Sequence, residues 1–148
     1  MEALKLANLT GAVTALVFYV SSAIVFALRL AGIPRAGYWV GIFQLCLAVP
    51  LAYLLITAPS LERPALYYAQ IALLLVWLAA ELLLDYVLKI EFRHVMVLLI
   101  GYVVLFFAAG GGMIGVASMA GTGWSIAAIA AFLVSTALAF IQRLLTGM

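Results

Sequence analysis

One cysteine and one histidine are all that this chain offers of the residues that usually hold metals and haem. A tetrahedral zinc site, a cysteine-ligated cluster or a bis-histidine haem needs partners that a single copy lacks. We therefore expect no cofactor and no metal, with symmetric pairs across a homodimer as the one route around that limit. Cys46 lies in an apolar run and has no second cysteine to pair with. Charge is equally scarce, since Asp, Glu, Lys and Arg make up 8% of the chain. The seven basic residues are scattered rather than clustered, so a net charge of +2 carries no sign of nucleic acid. The glycines of residues 110–115 are followed by no Lys-Ser/Thr pair, which rules out a phosphate-binding loop. The first apolar stretch, from about Leu9 to Leu28, exceeds the ~7–15 residues of a signal-peptide core and follows no basic cluster, so we do not expect a cleavable signal.

What the chain has instead is apolar surface. It is 70% hydrophobic, with a mean hydropathy of +1.34. A soluble domain is about half apolar. A globule of 148 residues still needs a polar exterior and cannot hide this much oil in its core. The solvent for most of these side chains is lipid, and the expected fold is all-α, a polytopic integral membrane helical bundle forming one transmembrane domain.

A span takes ~20 mostly apolar residues. Five segments qualify, at about 10–30, 37–57, 65–90, 95–118 and 123–142. Gly32 and Pro34 break the chain after the first, Pro59 and Pro64 after the second, and Gly121 and Gly123 between the last two, where Thr122 or Ser125 suits a helix cap. Four spans plus a re-entrant glycine-rich segment is the alternative. Pro50 should kink the second span near Gln44. With five spans, Arg29, Arg35, Lys89, Arg93 and Arg143 fall on one side and Lys5 and Arg63 on the other, which places the N-terminus outside and the C-terminus in the cytoplasm. A bundle of this kind belongs in the cytoplasmic (inner) membrane of a prokaryote. Within residues 110–115, Gly111 and Gly115 have the spacing that lets two helices approach closely, inside the chain or across a homodimer.

Against that background the third span stands out, because it carries carboxylates. Gln70, Trp77, Glu81, Asp85 and Lys89 fall on roughly one helical face, opposite a leucine-rich one. A carboxylate in the hydrocarbon costs ~2.5–3.5 kcal/mol even on lenient scales, so the stripe should face the bundle interior. Asp85 has a plain alternative role, an i,i+4 salt bridge to Lys89 at the interface. Glu81 lies a turn deeper, where Trp77, Ala80 and Leu84 cannot neutralise it, and it is the first choice for a site. Counting turns from the same membrane face puts Ser21, Ser22, Gln44, Tyr102, Ser135 and Thr136 at its depth, with Arg29 as a candidate counter-ion. The expected substrate or proton site is thus Glu81, Asp85, Gln44, Trp77, Tyr102, Arg29 and Ser22, with His94 as a further point of proton exchange at its mouth.

Three functions suit this reading. A proton- or cation-coupled transporter of a small solute ranks first, with Glu81 as its coupling site. A membrane-embedded binding protein or enzyme for a lipid or other hydrophobic small molecule ranks second, and an accessory or structural subunit third. The expected partners are membrane lipids and a small cation or hydrophobic molecule, with no nucleic acid.

Overall fold

The computed structural model describes residues 2–89 and 94–146. Glu91, Arg93 and the Ile90 end of the expected third span lie outside them. Five helical segments are long and apolar enough to cross a membrane, and no strand occurs among the described residues.

The helices are α1 (Glu2–Leu30), α2 (Pro34–Leu45), α3 (Ala48–Thr57), α4 (Ala65–Glu81, continuing as a π-helical segment over Leu82–Val87), α5 (Met96–Ser118) and α6 (Thr122–Thr146). Helix α1 begins eight residues before the expected boundary. Its polar first turns, with Glu2 at the positive end of the helix dipole, extend the helix beyond the apolar stretch. It ends where Gly32 adopts a φ of 74° and the Ile33 amide donates back to the Leu28 carbonyl at 2.9 Å, a left-handed termination that glycine favours. Pro34 then opens α2 in the first turn, where a missing N–H costs nothing.

The second span is two helices rather than one kinked helix. Pro50 has no N–H for the Cys46 carbonyl, and the chain opens one turn earlier, at Cys46–Leu47. There the Val49 amide takes the Cys46 carbonyl at 3.1 Å and the Leu47 amide takes that of Gln44 at 3.0 Å, so tighter i→i−3 bonds replace the lost one. The re-entrant alternative is corrected, because α5 runs unbroken through the glycines and the chain turns only at residues 119–121, with Gly121 at a φ of 139°.

Successive spans run up and down, and α1 is the central one. It touches α2, α3, α5 and α6, while α4 packs between α3 and α5. The core carries Phe18, Tyr19, Leu51, Leu54, Ile71, Leu74 and Met113 at full burial. The exterior is apolar: Leu144, Val97 and Ile56 are 82%, 79% and 77% exposed, and such residues cover the surface. Contiguous apolar exposure on this scale suits lipid rather than water, and the chain has the make-up of a membrane protein.

Small residues decide how closely the helices approach. A Cβ on Gly11 would lie 2.7 Å from Val116 of α5, and one on Gly110 would lie 2.4 Å from the Phe132 ring of α6. The Tyr19 hydroxyl donates to the Gly110 carbonyl, which joins α1 to α5 through the same gap. Within the chain, Gly111 and Gly115 do not act as a pair. Gly115, with Gly112, seats the Gln70 side chain of α4 inside the chain, and Gly111 faces open space.

Candidate functional site

The polar stripe of α4 does not meet one neighbour along its length. Each step of four residues overshoots a full turn by ~40°, so the stripe winds around the helix. Gln70 meets α5 at Gly112 and Gly115. Trp77, a turn or two further on, stacks in an aromatic cluster with Phe18 of α1 and with Tyr102 and Phe106 of α5, at centroid distances of 5.3, 5.8 and 5.7 Å. The last part of the stripe, Glu81 and Asp85, lies beside the C-terminal end of α1 and the start of α2.

There the carboxylates line a cavity of about 200 Å3 at one end of the bundle, together with Arg29 and Val25 of α1 and Pro34, Gly37, Tyr38 and Gly41 of α2. Glu81 is 5% exposed and Asp85 half-buried. Two acids and one guanidinium share the space, so the lining carries one net negative charge when all three are ionised.

The backbone is built to bring Asp85 here. From Leu82 to Val87 the helix widens, and the Leu88 amide reaches the Leu83 carbonyl five residues back at 2.8 Å. Such π segments are frequent at functional positions. The α-helical register that would set Asp85 beside Lys89 is lost. Lys89 lies past the helix end, exposed, with a left-handed φ of 51°. Tyr86 anchors the widened turn: its hydroxyl donates to the Tyr38 carbonyl at 3.0 Å, and its ring lies 4.9 Å from that of Tyr38.

Glycine makes room for that anchor. A Cβ on Gly41 would fall 2.0 Å from the Tyr86 hydroxyl oxygen, and Gly37, one turn earlier, faces Val25 and Leu28 of α1 at 4.0 Å. The small-residue spacing that shapes the site is therefore Gly37–Gly41 in α2, rather than the Gly111–Gly115 pair that draws attention in the sequence. Val25, Pro34, Gly37, Tyr38, Gly41 and Tyr86 are the lining residues that sequence reasoning missed. The signal was present in the string "GYWVG" and in the tyrosine that follows Asp85.

The other expected site residues lie elsewhere. Gln44 is buried and donates to the Ser22 hydroxyl at 2.8 Å and to the Phe18 carbonyl at 3.2 Å, a closed tie between α2 and α1. Ser21 and Ser135 bond the preceding turn of their own helices. Tyr102 borders a second, more apolar cleft between α1, α5 and α6, in which Arg29 also takes part. His94 is exposed just before α5 and lines neither space. No family model, curated protein or solved structure matches the chain. The site stands on its own geometry.

A different arrangement closes the opposite end of the bundle. Arg63, in the α3–α4 loop, donates to the Asn8 side-chain carbonyl of α1 and to the Met119 sulfur at the end of α5, and its guanidinium lies 4.6 Å from the Tyr67 ring centroid. One side chain thus fastens three elements. The described residues contain no group of three or more His, Cys, Asp or Glu placed to hold a metal ion.

Proposed function

We propose that this chain is a small integral membrane carrier that moves a small cationic solute against protons, with Glu81 and Asp85 as the groups that exchange one for the other. The observation that carries the reading is the shared cavity of Glu81, Asp85 and Arg29 at one end of a five-span apolar bundle. Ionisable side chains at such depth are expensive and serve transport or proton relay where they occur. One net negative charge suits a monovalent cation, and a proton on either acid cancels it, so solute and proton compete for the same space.

The polar cavity lies at the end where Arg29 and Arg35 fall, which the distribution of basic residues assigns to the cytoplasm. The N-terminus is then outside, and the membrane is the inner membrane of a prokaryote. The Arg63 fastening closes the outer end in this state, and alternating access requires it to open.

The test uses the purified protein in proteoliposomes that carry an outward proton gradient and an entrapped pH dye, challenged with a panel of small organic and alkali cations. The wild type is expected to release protons when its cation is added, and Glu81→Gln to abolish this while leaving the melting temperature in detergent unchanged within a few degrees. Release that survives in Glu81→Gln, or wild-type liposomes that respond to no cation, would overturn the reading.

A further inference from the structure

The cleft between α1, α5 and α6 differs in kind from the acidic cavity beside it. Its volume is about 130 Å3, close to the ~150 Å3 of an apolar cavity that accepts a benzene ring. Phe106, Phe107 and Phe140 form much of its wall, and none of the residues lining it is acidic. Its polar members are Tyr102, Gln142 and two cations, Arg29 in the last turn of α1 and Arg143 in the last turns of α6. Gln142 is buried and donates its amide N–H to Thr146 at 3.0 Å, and the two guanidiniums are the charged members of an otherwise aromatic and aliphatic lining.

Depth selects the ligand. Both arginines lie near the ends of their helices, at the level this placement gives to the phosphate groups of a bilayer, while Phe140 lies just under one turn before Arg143 and Phe106 and Phe107 lie about three turns into α5, towards the level of acyl chains. A ligand that is anionic at one end and apolar at the other matches this order. We propose that the cleft binds one anionic phospholipid, its phosphate received by Arg29 and Arg143 and the first part of one acyl chain lying along Phe107 and Phe140.

The site rests on the membrane placement proposed above but not on transport. Phe140 is 56% exposed, so the slot opens to the side of the bundle and a lipid reaches it without passing through the protein. Arg29 borders both spaces. A phosphate in the cleft therefore draws on the same guanidinium that faces Glu81 and Asp85, and lipid occupancy becomes a means of tuning the acidic cavity.

The test is native mass spectrometry of the detergent-purified protein titrated with phosphatidylglycerol or phosphatidylcholine. One equivalent of phosphatidylglycerol is expected to bind at least tenfold more tightly than phosphatidylcholine. Arg143→Gln should weaken phosphatidylglycerol by about fivefold, the usual worth of one basic residue at an anionic surface, and leave phosphatidylcholine unchanged. Arg143→Lys should keep most of the preference. Phe140→Ala, at an exposed position where folding is not at stake, should weaken both lipids alike. Arg35→Gln removes a cation from the same end without touching the cleft, and should change nothing.

Equal binding of the two lipids, no effect of Arg143→Gln, or an equal loss in Arg35→Gln would overturn the site. So would inorganic phosphate alone raising the melting temperature as much as phosphatidylglycerol does. Recovery of the protein in the soluble fraction without detergent would instead refute the membrane placement, and loss of cation-evoked proton release with lipid selectivity intact would concern the carrier reading alone.

Discussion

Two adjacent glycines give opposite predictions, and the pair tests the packing of the whole bundle. An alanine methyl at Gly110 would lie 2.4 Å from Cε2 and 3.0 Å from Cδ2 of Phe132, inside any tolerable contact. The ring cannot swing aside freely, because Tyr19, Phe106 and Phe107 hold it at centroid distances of 5.5, 6.4 and 6.0 Å. Either α5 moves off α6 or the aromatic cluster repacks, at ~1–3 kcal/mol for an overfilled site. Moving α5 also strains the Tyr19 bond to the Gly110 carbonyl, worth about 1 kcal/mol. Against this, alanine gains ~1 kcal/mol of helix propensity over glycine. The balance for Gly110→Ala is a loss of roughly 1–3 kcal/mol from these same terms. At Gly111 a Cβ meets nothing within 4 Å, so only the propensity gain of up to ~1 kcal/mol remains and Gly111→Ala should be neutral or stabilising. Equilibrium unfolding in mixed micelles, titrated with a denaturing detergent, measures both. Equal stabilities for the two variants would refute the packing of α5 against α6, as would a Gly111→Ala that is the worse of the two. The second outcome is the one a homodimer through Gly111 demands.

Two polar ties between elements can be weighed in the same assay. Gln44→Ala removes both bonds to α1 and strands the Ser22 hydroxyl in a buried place, and should cost about 1–3 kcal/mol; a loss below the error of the measurement would mean that α2 is held to α1 by apolar contact alone. Arg63→Ala removes the Asn8 bond and the stacking on Tyr67, and should cost about 1–2 kcal/mol. In a double-mutant cycle Asn8→Ala should then add little to it, and full additivity would deny the contact.

The five spans were legible because hydrophobic length and helix-breaking residues are properties of the chain alone. Gly32, Pro34, Pro59, Pro64 and Gly121 each interrupt an apolar run where continued helix is unfavourable, and the helices stop there. Position along a helix axis was legible for the same reason, since rise per residue is fixed, and Arg29 and Glu81, which that count puts together, line one cavity. Lateral position was not legible. The rotation of each helix sends Gln44 to Ser22 and Trp77 into a ring of aromatics. Rotation is decided by which small residue lets which large one approach, a matter of pairs on different helices. The glycines show the limit: residues 110–115 carry the more conspicuous pattern, but the contact that shapes the acidic cavity uses Gly41, because Tyr86 lies across from it.

The position of the acids then bears on what they can do. If α4 stayed α-helical to its end, Asp85 and Lys89 would share a face and could neutralise one another at the surface. The π segment removes that solution by shifting the register between them, and Tyr86 fixes the widened turn against Tyr38. A π segment is rare within an α-helix, and here Gly41 provides the space for the tyrosine that holds it. The sequence therefore forgoes the inexpensive neutralisation of Asp85 by Lys89 and places the carboxylate beside Glu81 and Arg29 instead. An arrangement serving charge balance at the surface alone would have no need of this, since Lys89 is exposed whether or not Asp85 turns inward. What the π turn adds is a second acid within one cavity, so that the negative charge facing Arg29 can be carried by either carboxylate and relieved by a single proton or a single cation.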